Sequence, residues 1–406
     1  MFKFKHKYQT ERLIPLLLYV YALALPFSEW FTFRLNNAIL IALCVIWAGS
    51  LFFSQIPKRI FSHPLLLFSG SILFVQLIDL LHGGDMKQVA ANLFMKLPFF
   101  LFPLVLAPVH IKEETFKNIL RLFVAGCLMA MLISFRFLLS PKSADASLTY
   151  YAQYEKFFVL HRPYFGMYLL LAICILFYEL KKKFNLLSLG LMLAFVTFIF
   201  FIQAKMSLLT LGILFIAEVT KIKSEKFRKT LIYLISGIFI LFSVFLTNYY
   251  LQNKKLVNQK QGNDRFFILS VNTRVVHYTC ALEIIGQHPA LGAGCGYLTN
   301  LLDECYIKEK TELTKDGMHF NVHNEFLEET ARHGLIGLGI YLISFFFFFK
   351  NAIKQKNNLY LLFLLIIVFA CMTETLFSRA QGVLMVSFFN TLLFLRKEKT
   401  RIIQES

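Results

Sequence analysis

Basic side chains at the edges of apolar segments are the residues best suited to chemistry in this sequence. Such charges are costly to place near a bilayer, so they are candidates for function. Arginine grips phosphate oxygens with two parallel N–H bonds, lysine acts as a point charge, and histidine can accept a proton from a hydroxyl near neutral pH. The set predicts a site for an anion such as a lipid-linked phosphate or pyrophosphate. Its members are Arg162, Lys205, Arg274 and His323, with His161, His288 and His319 as lesser members.

Each of these residues also has an ordinary structural interpretation. Lys205 fits a turn lysine whose ammonium reaches the lipid headgroups, and Arg162 fits an interface anchor before Pro163. Arg274 fits an exposed loop arginine. His319 and His323 stand at i and i+4, but the sequence has no HExxH motif, so a metal site is not predicted.

A glycine-rich segment, Gly292-Ala-Gly294-Cys-Gly296, superficially resembles a nucleotide-binding fingerprint. The segment follows no predicted strand and opens no clear helix, which excludes the dinucleotide-binding interpretation. We expect the glycines to allow a tight turn or a close backbone approach.

The elements that must position these residues are membrane helices. Hydrophobic residues make up 57% of the 406-residue chain, charged residues only 16%, and the mean hydropathy is +0.61. A soluble domain has about a quarter charged residues. The composition therefore predicts an all-α, polytopic integral membrane protein with about twelve transmembrane helices of roughly 20 apolar residues each.

The apolar segments divide the chain into three regions. We expect transmembrane helices 1–9 within residues 1–248, one large outward-facing loop with short helices at 249–333, and helices 10–12 with a cytoplasmic tail at 334–406. In the loop, a helix is predicted from about Thr273 to Gln287, where Pro289 follows. The expected spans lie near 13–28, 36–54, 64–82, 89–108, 117–139, 159–179, 184–202, 205–219, 230–248, 334–349, 358–376 and 381–395.

The net charge of +18 lies in short clusters between apolar runs. It forms no basic face or tail, which argues against nucleic-acid binding. With the N-terminus inside, every inside connection holds at least two lysines or arginines, as the positive-inside rule describes. This pattern predicts cytoplasmic termini and an outward-facing loop 249–333.

Seven cysteines show no metal-ligand spacing. Four of them lie in apolar runs as expected packing residues: Cys44, Cys127, Cys174 and Cys371. Cys280, Cys295 and Cys305 lie in the predicted outer loop, where a disulfide among them is possible but its pairing cannot be deduced from the sequence.

Several loop segments together resemble the O-antigen ligase/polymerase superfamily, in particular its O-antigen ligases. The order and spacing of the segments carry the resemblance, together with the helix count and the single large loop. The segments are Arg274-Val-Val-His-Tyr278, Ala281-Leu-Glu-Ile-Ile285, His288-Pro289-Ala-Leu291-Gly292-Ala-Gly294, His323-Asn324-Glu-Phe-Leu327 and Gly334-Leu-Ile-Gly337.

The resemblance implies a metal-independent glycosyl transfer without a cofactor. The donor would be a glycan on undecaprenyl pyrophosphate, and the acceptor a hydroxyl of lipid A–core or of another glycan. The resemblance also implies that the protein lies among the lipids of a bacterial inner membrane, with the large loop in the periplasm. Arg274 and His323 would be catalytic, while Arg274, Lys205 and Arg162 would bind the pyrophosphate. The supporting residues would be Asn324, Tyr278 and His161.

The chain departs from the superfamily pattern at three positions. Lys205 stands where an arginine is usual, Tyr278 where a tryptophan is usual, and Arg332 where an acidic residue is usual. Ligase, polymerase and protein O-oligosaccharyltransferase remain open, since the acceptor decides among them. A transporter or flippase of an anionic substrate is the alternative from another class, although the sequence shows no inverted repeat.

Overall fold

The computed structural model describes residues 2–28, 34–51, 63–139, 159–221, 264–309 and 320–405, together with 225, 229 and 233. Across these residues the chain is all-helical, with no β-strand. The α-helices are α1 Phe2–Ala24, α2 Arg34–Leu51, α3 Pro64–Phe74, α4 Asp79–His82, α5 Met86–Lys96, α6 Pro98–Leu106, α7 Glu113–Leu139, α8 Arg162–Lys182, α9 Leu186–Phe201, α10 Lys205–Val219, α11 Asp264–Gln287, α12 Cys295–Lys308, α13 Glu325–Lys354, α14 Asn358–Cys371 and α15 Ala380–Glu405.

Five helical segments in the described part of the chain are long and apolar enough to cross a membrane. They are Pro64–His82, Met86–Leu106, Glu113–Phe135, Arg162–Lys182 and Glu325–Lys354. Shorter apolar helices occupy Leu13–Phe27, Arg34–Gly49, Leu186–Phe201, Asn358–Cys371 and Ala380–Arg396. The expected span 230–248 lies outside the described residues apart from 233. The count of twelve spans therefore stays a prediction.

Helix α8 is the most buried of the five candidate spans and packs against α7, α9 and α14. Two tyrosine hydroxyls tie it to the last part of the chain: Tyr164 donates to the Thr375 carbonyl at 3.2 Å and Tyr168 to the Gln381 carbonyl at 3.0 Å. On its other side, Gly166 permits a close approach to α10, because a Cβ there would lie 2.2 Å from Ser207 Oγ. These contacts bring the first turns of α8 and α10 together.

The preferred sequence interpretation of two helices around Lys205 is confirmed, since α9 and α10 are separate elements. Gln203 has a φ of 53° between them. This left-handed conformation is uncommon for residues other than glycine. The sharp turn places Lys205 at the first position of α10 instead of within one continuous helix.

The described part of the loop region contains helix α12 besides the helix predicted near Thr273–Gln287. The expectation that the glycine-rich turn opens no helix is wrong, because α12 starts at Cys295 directly after it. Helix α11 also begins earlier than predicted, at Asp264. The tight turn expected at the glycines is confirmed, because Gly292 and Gly294 have φ of 73° and 78°. Ala293 N–H donates to the Ala331 carbonyl at 2.8 Å.

A disulfide joins Cys280 of α11 to Cys305 of α12. The third candidate cysteine, Cys295, is a buried free thiol.

Helix α13 is kinked at Gly334, whose φ is 66°. A Cβ at Gly334 would lie 2.1 Å from the Ala290 carbonyl oxygen, so the turn before α12 and the kink in α13 fit against each other.

Candidate functional site

A cleft of about 420 Å³ opens between α8, α10, α11 and α14. Four of the residues predicted from sequence line it, namely His161, Arg162, Lys205 and Arg274. Lys205 lies close enough to Arg274 and Arg162 to interact electrostatically with both. Three cations from segments far apart in the sequence therefore share one cavity, as an anion site requires.

Helix ends add to this positive potential. Arg162 and Lys205 are the first residues of α8 and α10, and both helices begin at the cleft. The N-terminus of a helix carries unpaired N–H groups and a partial positive charge that favours anions. Pro163 suits this first turn, where its missing N–H removes no hydrogen bond. Local sequence thus produces two of the cationic ends by ordinary helix initiation.

Deeper in the cleft the lining becomes apolar, with Met167, Leu170, Ile366 and Phe369. Leu170 lies about two turns below Arg162 on α8, or about 12 Å at 1.5 Å per residue. The cavity therefore combines a cationic mouth with an apolar floor, which suits a ligand having a charged head and a hydrocarbon tail.

A glutamate missed in the sequence analysis connects the two predicted catalytic residues. Glu374 follows α14 and lines the cleft. Its Oε1 lies 3.5 Å from an Arg274 Nη2, and its Oε2 lies 3.2 Å from His323 Nδ1. The Glu374 side chain is only 12% exposed. A carboxylate that accepts from Nδ1–H leaves Nε2 of a neutral imidazole able to accept a proton.

Asn324 sets the position of His323 relative to Glu374. Its side-chain oxygen accepts from Leu327 N–H at 3.1 Å and so caps α13, while Nδ2 donates to the Met372 carbonyl at 3.1 Å. An asparagine cap suits the unpaired N–H groups at a helix start. This pair of bonds holds the His323 segment against the end of α14, which agrees with a supporting role.

One comparison with known proteins identifies the region that holds this geometry. Residues 157–342 match the protein family described as O-antigen ligase. Residues 157–342 belong to the O-antigen ligase superfamily. No curated protein matches the chain significantly.

The ligase-family domain contains all the residues that the sequence analysis selected, whereas Glu374 lies beyond the matched residues. Membership supports a glycan-transferring membrane enzyme of the O-antigen ligase/polymerase type, with a lipid-linked glycan and a glycan acceptor as its general partners. The family and the apolar helices together indicate a bacterial membrane protein.

Tyr278 does not line the cleft. It is half-buried against the small apolar cluster of α11 and α12. In the structure this side chain packs these two helices together. His319, the other member of the weak metal pair, lies outside the described residues.

A second group of charges is fully buried beside the ligase-family site. Lys96 Nζ lies 3.7 Å from Glu329 Oε2, and both side chains are at most 1% exposed. His333 lies between two carboxylates, 2.7 Å from Glu329 Oε1 and 3.1 Å from Asp79 Oδ1. Asp79 also accepts from Cys295 N–H at 2.8 Å. This buried network joins α4, α5, α12 and α13.

The same face of α13 anchors the segments that carry His323 and Glu374. Glu328 accepts from Val322 N–H at 2.9 Å, and Glu325 accepts from Phe377 N–H at 2.9 Å. Arg332, which departs from the superfamily pattern, donates to Glu328 Oε1. Both backbone segments next to the candidate site are therefore held by buried carboxylates of one helix.

Burial changes the titration of the free thiol in this region. It raises the pKa of Cys295 to about 12, and the nearby Asp79 carboxylate acts in the same direction. Reactive cysteines have lowered pKa values and some exposure. Cys295 is therefore a packing residue of the ligase-family domain and not a nucleophile.

Proposed function

We propose that the protein transfers a saccharide from undecaprenyl pyrophosphate to a hydroxyl acceptor, with O-antigen ligation to lipid A–core as the favoured reaction. The single observation that carries the proposal is the convergence of Arg162, Lys205 and Arg274 on one cleft beside the His323–Glu374 pair. A transporter of anions would need the cations, but it would not need a histidine oriented by a carboxylate.

The donor would enter with its pyrophosphate at the cationic mouth and its first isoprenyl units along the apolar floor. Arg274 and Arg162 provide planar forks for phosphate oxygens, while Lys205 adds a point charge. When the bond between the anomeric carbon and the phosphate oxygen breaks, negative charge grows on the departing pyrophosphate. Cations that are already in place stabilise this charge more than they stabilise the bound donor.

The acceptor would approach from the side of His323. Its Nε2 accepts the proton of the attacking hydroxyl while the new bond forms between that oxygen and the anomeric carbon. The resulting imidazolium keeps its hydrogen bond to Glu374, which compensates its charge. Side chains of the protein supply every group used in these steps.

The proposed location is the outer face of the inner membrane. The charge pattern of the connections supports this orientation. The Cys280–Cys305 disulfide also supports it, because disulfides persist in oxidising compartments such as the periplasm.

A reconstituted transfer assay tests the proposal. The purified protein in liposomes receives a glycan on undecaprenyl pyrophosphate and lipid A–core, and product is followed by gel mobility and mass spectrometry. We expect transfer by the wild type and its loss in His323→Ala and Arg274→Ala. His288→Ala is the matched control, because His288 is exposed and does not line the cleft. Full transfer by His323→Ala would refute the assigned base.

The acceptor is tested in cells. In a deletion strain, a ligase predicts lipid A–core without polymer and an accumulation of lipid-linked polymer. Single repeat units on the core would instead identify a polymerase, and unchanged lipopolysaccharide with loss of glycoprotein would identify a protein glycosyltransferase.

A further inference from the structure

His277 is a second histidine in direct contact with the proposed base. It lies on α11 one turn after Arg274, and its side chain is 3% exposed. Its ring is stacked on that of His323, with centroids 5.3 Å apart and an angle of 20° between the planes. His277 belongs to the segment Arg274-Val-Val-His-Tyr278, but its residue type and place in that segment do not by themselves indicate a role.

The His277 ring is enclosed on its remaining sides. Phe320 is stacked on it at 6.2 Å, and the Tyr306 ring lies 5.1 Å away at 53°. Tyr306 directly follows Cys305, whose disulfide partner Cys280 lies three residues after His277. The covalent link between α11 and α12 therefore also holds the wall around His277.

Within the part of the chain that the structure describes, neither ring nitrogen of His277 has a hydrogen-bond partner. Among the described residues the ring therefore contacts its neighbours through its flat faces.

His323 needs a flat neighbour that fixes the orientation of its ring. Its φ of 53° is an uncommon conformation that persists only when the surroundings fix it. The Glu374 contact holds one edge of the imidazole, at Nδ1, and leaves the ring able to swing about that point. A flat partner against the ring removes this freedom, so Nε2 keeps one direction.

We propose that His277 is a positioning residue for the glycan transfer: its buried ring holds the His323 imidazole in the plane in which Nε2 faces the acceptor hydroxyl. This inference rests on the proposed function. It assigns to His277 no contact with the substrate and no proton of its own.

The charge state of His277 agrees with this role. Burial, followed by the nearby charges of His323 and Arg274, lowers the pKa of His277 to about 4. Among the described residues, the ionisable groups around it are Arg274 on its own helix, Tyr306 on α12, and the His323–Glu374 pair. A ring that is neutral at physiological pH adds no repulsion when His323 takes up a proton.

Two substitutions separate the flat ring from the volume it fills. His277→Phe keeps a flat ring without nitrogens, and His277→Leu fills the site with a side chain that is not flat. In the reconstituted transfer assay we expect His277→Phe to keep at least about half of the wild-type kcat. His277→Leu should lose roughly tenfold or more, because a small misplacement of a reacting group is costly. The donor KM should change by less than about twofold in both, since His277 does not line the cleft.

Folding is checked by thermal unfolding and by the intact Cys280–Cys305 disulfide in mass spectrometry. Wild-type kcat in His277→Leu would overturn the proposal. An equal loss of kcat in folded His277→Phe would also overturn it and would indicate a role for a ring nitrogen. Absence of transfer by the wild type would instead refute the proposed function itself.

The wild-type protein provides a second measurement that does not depend on the phenylalanine variant. With ¹³C-labelled histidine, the signal absent from His277→Leu belongs to His277. We expect this signal to stay at the neutral-imidazole position from pH 8 to about pH 5, given a pKa of about 4. A titration midpoint near the ordinary value of about 6.5 would overturn the buried, stacked placement.

Discussion

The contact of Glu374 with both Arg274 and His323 makes a specific prediction for Glu374→Gln. Glutamine keeps the shape and an acceptor oxygen but removes the negative charge. If the carboxylate serves mainly to orient His323 and to compensate its imidazolium form, the substitution lowers kcat. If it serves mainly to hold Arg274, the substitution raises the KM of the donor.

The geometry decides between these outcomes. The Arg274 contact is 3.5 Å long, and the arginine side chain is 38% exposed. Such exposed pairs are worth about 0.2–1 kcal/mol. The His323 contact is shorter, at 3.2 Å, and becomes fully charged once the base is protonated. Hydrogen bonds to charged groups are worth about 1.5–3 kcal/mol.

Because the His323 contact strengthens as the proton moves, most of its energy appears in the transition state. At 1.36 kcal/mol for each tenfold change in rate, kcat should fall roughly 10- to 100-fold. The donor KM should change by less than about fivefold, as the weaker Arg274 contact implies.

The assay is steady-state transfer in liposomes with varied donor and a saturating acceptor, so that kcat and KM are obtained separately. The matched control is Glu283→Gln, which removes an exposed ion pair between Glu283 of α11 and Lys308 of α12 at a similar distance of 3.2 Å. This control should retain wild-type kinetics. The reasoning is refuted if Glu374→Gln keeps kcat within about twofold of the wild type, or if its defect lies entirely in the donor KM.

Three further predictions concern the scaffold and its thiols. Lys96→Met should destabilise the folded protein by about 3–5 kcal/mol, because the buried Glu329 loses its cation. Thermal unfolding in detergent should show this loss and a partial recovery of stability in Lys96→Met/Glu329→Gln. Gly334→Ala should reduce accumulation of the protein in the membrane, because a Cβ at Gly334 meets a backbone oxygen at 2.1 Å. Gly339→Ala should not, because a Cβ at Gly339 meets nothing within 4 Å. Immunoblots of isolated membranes compare the two variants. With its pKa raised to about 12, Cys295 should resist alkylation at pH 8 until the protein is unfolded, and rapid modification in the folded state would contradict its burial.

The membrane helices could be predicted from sequence because long apolar runs leave few alternatives in a bilayer. The break before Lys205 was also predictable, since the polar residues at 203 and 205 interrupt an apolar run. The early start of α11 was not predictable, because the helix begins with Asp264 and Arg265 directly after a polar segment.

Helix α12 was missed although its signal is present. Leu298, Leu302, Cys305 and Tyr306 recur at helical spacing and are all buried. The glycines before the helix indicate a turn, and the helical periodicity begins only after them. The glycine-rich start has no side-chain cap, so the usual helix-start residues were absent.

Glu374 was missed for a different reason. It lies 100 residues after Arg274 and 51 after His323, so no spacing links it to either. A sequence signal existed nonetheless: Glu374 is an acidic residue inside the predicted span 358–376, and such charges are functional candidates by default. The partner of that charge could be assigned only after α11, α13 and α14 were placed together.

The sequence alone does not distinguish the role of Lys96 from that of Lys205. Lys96 lies inside the expected span 89–108 and Lys205 at the start of the expected span 205–219, so each fits a membrane charge that needs a partner. In the structure Lys96 is completely buried and satisfied by Glu329 and by the Tyr341 hydroxyl, so it has no surface to offer a ligand. Lys205 is exposed at a cleft shared with other cations. Burial, and not residue type, therefore distinguishes a charge that holds helices together from one that lines an open cleft.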